Sequence, residues 1–143
     1  MFHILLLVGV LAFTDLAQTR RCPCEKYQPV GVQSDAAVLD YRVAKRPVNR
    51  IVGSVSARRM RGKGYESTNA RIHVYRKSDG SYPFVAACDT TENGMFCFQD
   101  LPAATYLVCA DNRIFSQECT VVTLNPKLRP SAPLKFTLTR LPI

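Results

Sequence analysis

Between Val48 and Leu138 the apolar residues recur with a period of two, which is the pattern of strands that bury one face. Arg50–Ser56 reads as a first strand, and Gly53 within it marks a place where another backbone comes close. Ala70–Tyr75 turns Ala70, Ile72 and Val74 to one side, and Pro83–Cys88 follows after a turn at Ser78–Ser81. Met95–Phe98 sets Phe96 and Phe98 on one face, and Thr105–Val108 does the same with Tyr106 and Val108, so both runs can close on a common core. Ile114–Leu124 and Leu134–Leu138 complete the set, the last alternating Leu134, Phe136 and Leu138 against Lys135 and Thr137. Asn93-Gly94 ahead of Met95 predicts a type I′ hairpin turn, since both residues tolerate positive φ. Seven short strands separated by turn residues, with no helical period of useful length, predict an all-β fold. The expected architecture is an antiparallel seven-stranded sandwich.

The ends of the chain read differently. Ile4–Phe13 is an apolar run too short to span a bilayer and is followed by small residues, so residues 1–19 are expected to be a secretory signal. Residues 20–47 carry prolines and no period and read as an irregular, disulfide-tethered lead-in, with Ala36–Val43 a short strand or one helical turn. Residues 48–143 form the β-sandwich domain. About 124 residues remain after signal removal, enough for one domain with a real core. No further stretch is apolar enough for a membrane span, so a soluble product is expected, secreted to the extracellular space or held in a periplasm.

The stretch Asp89–Phe98 followed by Leu101–Tyr106 resembles the T-D-x-x-G-x-F-x-F…L-P-A-G-x-Y core of carboxypeptidase regulatory-like domains. These are transthyretin-like β-sandwiches, similar to the B-type repeats of Gram-positive adhesins. The resemblance covers about residues 48–140 and implies the sandwich fold; it says little about function. Two positions depart from the pattern. Ala104 stands where the family has a turn glycine, although alanine disfavours left-handed φ. Adhesin repeats often carry a Lys–Asn isopeptide bond, but Val48–Ser56 offers only Arg50 and no lysine.

Disulfides are the expected cross-link instead. Six cysteines, Cys22, Cys24, Cys88, Cys97, Cys109 and Cys119, in an exported chain of this size read as three bridges. Cys22 and Cys24 are too close to pair comfortably with each other. Cys109–Cys119 is the favoured internal pair, because both residues fall opposite the apolar positions of neighbouring runs. Cys88 and Cys97 would then receive Cys22 and Cys24. The competing scheme joins Cys88 to Cys97 and frees the tail cysteines for intermolecular links.

Candidate chemistry is sparse. Beyond the signal the chain has one histidine, His73, placed outward on its strand, which reads as a solvated side chain rather than part of a catalytic arrangement. Cys22-Pro-Cys24 lacks the Cys-x-x-Cys spacing of redox sites, and with His73 it does not make a zinc set. Carboxylates sit singly in turns, without calcium-loop spacing or a glycosidase pair. No catalytic residue, metal or cofactor is assigned.

Charge is the one surface signal. Removing Asp15 with the signal leaves 19 basic against 10 acidic side chains. From Tyr41 to Tyr65 there is no acid. Arg58, Arg59, Arg61 and Lys63 cluster within Ala57–Asn69, which two glycines and dense charge mark as a loop. The expected function is a secreted, non-enzymatic binding or structural module contacting an anionic polysaccharide or cell-surface component through that loop. The alternative is a small secreted inhibitor or effector acting on a protein partner. Nucleic acid ranks last, because only Tyr65 accompanies the arginines. Tyr27, Tyr41, Tyr65, Tyr75 and Tyr82 are candidate sugar contacts that spacing does not separate.

Overall fold

The computed structural model describes residues 46–59 and 61–140. The expected signal and most of the lead-in, with Ala36–Val43, Cys22 and Cys24, lie outside the described residues. Nine strands follow one another: β1 (Arg46–Val48), β2 (Ile51–Arg58), β3 (Tyr65–Ser67), β4 (Arg71–Arg76), β5 (Phe84–Asp89), β6 (Met95–Phe98), β7 (Ala104–Asn112), β8 (Phe115–Leu124) and β9 (Leu134–Leu138). There is no helix among the described residues. One sheet has the order β1-β8-β7-β4-β5. In the other, β2 is central, with β9 on one edge and β6 and β3 end to end on the other.

The all-β class stands, and the finer expectation is corrected twice. There are nine strands rather than seven, because β1 and β3 are three residues each, too short for alternation to register. Arg46 and Pro47, expected in the lead-in, are already strand. The sheets are mixed rather than antiparallel: β1 runs parallel to β8 and β2 parallel to β9. Both parallel pairs join strands far apart in the chain, and local periodicity carries no record of such partners.

The apolar faces meet between the sheets. Ile72, Val74, Tyr106, Val108 and Val122 from one sheet pack against Ile51, Val55, Phe96, Phe98, Leu134 and Phe136 from the other. The rings of Phe96 and Phe136 approach to 6.0 Å between centroids. Gly53 sits where β9 passes: a Cβ there would collide with the Leu134 carbonyl and lie 2.9 Å from Cζ of Phe96. The close approach read from the sequence is therefore present, and β9 is the strand that makes it. Tyr106 is fully buried, and its hydroxyl donates to the Pro102 carbonyl at 2.6 Å, a tyrosine-corner contact that pins the entry to β7. The proline-containing connection before β9 is held by Asn49, whose Oδ1 accepts from both the backbone N–H and the hydroxyl of Ser131.

Two turns behave unlike their sequence reading. Asn93-Gly94 does not form a type I′ hairpin. Gly94 N–H donates to Thr91 O and Thr91 N–H to Met95 O, with Gly94 at φ 72° and Asn93 outside the left-handed region. That is a type I turn closed by a left-handed glycine, and it carries the chain from β5 in one sheet to β6 in the other. The type I′ pair is Asp79-Gly80, both at positive φ, between the bridged Ser78 and Ser81. Ala104 needs no left-handed φ, since the residue that takes it is Asp100 at 61°.

Cys109 and Cys119 face each other across β7 and β8 and form a disulfide. They lie on the outer face of their sheet with Tyr75, Leu107 and Val121, opposite Tyr106, Val108, Val122 and Leu124. Cys88 and Cys97 are also disulfide-bonded. Cys88 points into the core, whereas Cys97 alternates with Phe96 and Phe98 and points away from it. A direct Cys88–Cys97 bridge would have to pass through β6.

Candidate functional site: a cationic hairpin and the sheet face beside it

The segment Ala57–Asn69 is not an open loop. Ala57 and Arg58 extend β2, and Tyr65–Ser67 returns as β3, so the basic residues occupy a β-hairpin. Arg58 is opposite Tyr65, and the Arg59 N–H donates to the Gly64 carbonyl at 3.1 Å, closing the hairpin at its base. Gly62 and Gly64, at φ 90° and 94°, make the reversal. Arg58, Arg59, Arg61 and Lys63 are all exposed. Among the described residues none of the four has a carboxylate partner, so their charges face solvent unneutralised. The structure therefore brings together the four cations that the sequence clusters, on a strand-anchored projection.

Register adds residues that the sequence did not single out. Side chains alternate across β2, so Ser54, Ser56 and Arg58 share the outer face of the sheet. Ser54 is flanked by Lys135 of β9 and Met95 of β6, Ser56 by Thr137 and Ser67, and Arg58 by Tyr65. Tyr65 is 62% exposed, whereas Tyr75 is buried and Tyr82 packs against the Tyr75 cluster. Of the three described tyrosines considered for sugar contact, only Tyr65 offers its ring to a ligand; Tyr27 and Tyr41 lie outside the described residues. The signal for Lys135, Thr137 and Ser67 was hidden because which strand flanks β2 is a tertiary fact.

His73 lies on the outer face of the other sheet, in a shallow open concavity shared with Arg71, Asp89, Thr90, Asp111 and Asn112. It is half-buried, not solvated, and stacks on Tyr75 with ring centroids 6.3 Å apart and Phe84 at its edge. Burial pushes its imidazole below the ordinary value; the Asp111 carboxylate, 3.7 Å from Nε2, opposes that shift and Arg71 adds to it. Arg71 is itself paired with Asp89 at 3.1 Å. Among the described residues no hydroxyl or thiol is hydrogen-bonded to His73, and Thr90 Oγ1 is taken by the Ala70 N–H. The His73–Asp111 pair can orient a polar group or exchange a proton with one, and no side-chain nucleophile is bonded to it among the described residues. Among the described residues no group of three or more His, Cys, Asp or Glu side chains converges, and there is no helix long and apolar enough to cross a membrane. Compared with protein-family models, curated proteins and solved structures, the chain has no match.

Proposed function

We propose that the chain is an exported, non-enzymatic binding module whose cationic hairpin contacts an anionic partner, of which a polysaccharide or other cell-surface component fits best. The observation that carries this reading is the exposed, unneutralised set Arg58, Arg59, Arg61 and Lys63 on a hairpin anchored in β2. An anchored projection loses less conformational freedom on binding than a free loop of the same charge. The disulfide between Cys109 and Cys119, and the bonded state of Cys88 and Cys97, support an oxidising, exported setting. The two-sheet sandwich is compatible with the carboxypeptidase regulatory-like, transthyretin-like resemblance, which we retain as part of this proposal. So too is the tethering of Cys88 and Cys97 by Cys22 and Cys24.

The test is retention on a heparin resin eluted with a salt gradient. The wild-type protein should elute well above physiological ionic strength, and the variant with Arg58, Arg59, Arg61 and Lys63 all changed to Ser should elute early. Equal elution of the two would refute the hairpin as the contact. Capture of one defined protein by the wild type, unaffected by heparin, would favour the inhibitor or effector reading instead.

A further inference from the structure

We propose that the outer face of the sheet formed by β9, β2, β6 and β3 is a track for a sulfated polysaccharide chain, which runs from the hairpin along β2 towards Lys135. The inference rests on the hairpin reading and extends it to a second set of residues. Rows across the sheet define the surface: Lys135–Ser54–Met95, then Thr137–Ser56–Ser67, then Arg58–Tyr65. Lys135 and Ser54 thus share the first row, and one row of three hydroxyls separates it from the arginine hairpin. Ser54 to Arg58 covers roughly 13 Å at about 3.3 Å per residue, and three strands make the face about 10 Å wide.

Each property of this face selects among ligands. Ser54, Ser56, Ser67 and Thr137 make no side-chain hydrogen bond among the described residues and remain able to donate to, and accept from, sugar hydroxyls and sulfate oxygens. The acids nearest in register lie off the face: Glu66 alternates to the other side of β3, and Glu92 sits in the turn before β6. Positive charge is therefore met by hydroxyls rather than by carboxylates, which complements a polyhydroxylated anion. Tyr65 is a single exposed ring beside Arg58, enough for one sugar ring and not for a row of stacked bases. The next row past Met95, Val52–Cys97, carries a bonded cysteine and ends the track on that side; from Ser54 to Arg58 only Met95 and Tyr65 are apolar, too few for the centre of a protein interface.

The experiment measures affinity for size-defined heparin oligosaccharides, short and long, together with single-stranded DNA of matched charge, at physiological ionic strength. It compares wild type, a face variant (Ser56→Asp with Lys135→Ser) and a hairpin variant (Arg61→Ser with Lys63→Ser), each checked for wild-type thermal unfolding. The hairpin variant should lose about tenfold towards every length, the equivalent of two exposed charge contacts. The face variant should bind short oligosaccharides as wild type does and lose about fivefold or more towards long ones. A face variant that matches wild type at all lengths overturns the track and leaves the hairpin reading standing. Two variants that both match wild type overturn the hairpin reading as well. DNA binding as tight as that of long heparin overturns the sugar assignment. If either pair of substitutions shifts the unfolding midpoint, Thr137→Val replaces it on the face and Arg61→Gln on the hairpin, with the same outcomes decisive.

Discussion

Replacing Gly53 by alanine tests the packing of the whole second sheet, because two effects of opposite sign compete there. By backbone preference alone, Gly→Ala within a strand should stabilise by about 0.5–1 kcal/mol, since the unfolded chain loses freedom. The structure predicts the reverse. The new Cβ would strike the Leu134 carbonyl oxygen and sit 2.8 Å from its carbon and 2.9 Å from Phe96 Cζ, against about 3.5–4.0 Å for relaxed carbon contacts. Backbone cannot rotate aside as a side chain can. Relief requires β9 to move off β2, loosening a register that runs from Gly53–Leu134 to Ala57–Leu138. Overpacking of this kind costs about 2–3 kcal/mol, which for a domain of this size lowers Tm by on the order of 10–20 °C. Urea unfolding monitored by circular dichroism measures the loss. The double variant with Phe96→Leu should recover only a minor part of it, since the tighter collision is with the main chain. A Gly53→Ala protein as stable as wild type would refute the parallel pairing of β9 with β2 at this register.

Five further outcomes are expected. Tyr106→Phe removes a buried hydroxyl bonded to the Pro102 carbonyl and should cost about 1 kcal/mol by urea unfolding. Burial raises the Tyr106 pKa above 10.0, so its folded form favours the neutral phenol; stability should fall as pH rises past 10, and Tyr106→Phe should lose that part of the alkaline decline. Cys109→Ser with Cys119→Ser opens a bridge spanning 10 positions and should destabilise by roughly 2.8 kcal/mol on loop entropy, read as a shift in urea midpoint. His73 should titrate below 6.5 by NMR, so its contribution to stability is present above that pH and is lost as pH falls through the lowered value; Asp111→Asn should move the midpoint lower still. Mass mapping of the intact protein should place Cys88 and Cys97 in bridges to Cys22 and Cys24, and free thiols at Cys22 and Cys24 would defeat that tether.

The sequence reports what is local. Met95–Phe98 and Leu134–Leu138 are strands with the expected ends, and Ile72, Val74, Phe96 and Phe136 face inward as alternation requires. Cys109 opposite Cys119 was legible because adjacent antiparallel strands translate sequence separation directly into register. Gly53 announced a close approach without naming the strand. What escaped is whatever depends on distant partners. Asn93-Gly94 looks like a hairpin turn, yet the strands on either side belong to different sheets, and no local residue distinguishes the two uses. The basic cluster was visible as charge, but its neighbours Lys135 and Thr137 come from β9, beside it only once the parallel pair has formed. Alternation places His73 on the outer side of its strand but does not say what packs there; Tyr75 and Phe84 enclose it.

The parallel seam between β2 and β9 also sets an order of events during synthesis. Its stabilising contacts join the first long strand to the last, and the supporting pair Asn49 and Ser131 is 82 residues apart. Such pairing must meet the entropy of closing a loop of about 82 residues before any of it is rewarded. The β7–β8 hairpin, with its cysteines already facing each other, can form as soon as it emerges, but the second sheet cannot close until Leu134–Leu138 has been made. A polypeptide with this topology therefore leaves one edge of β2 unpaired until β9 has been made.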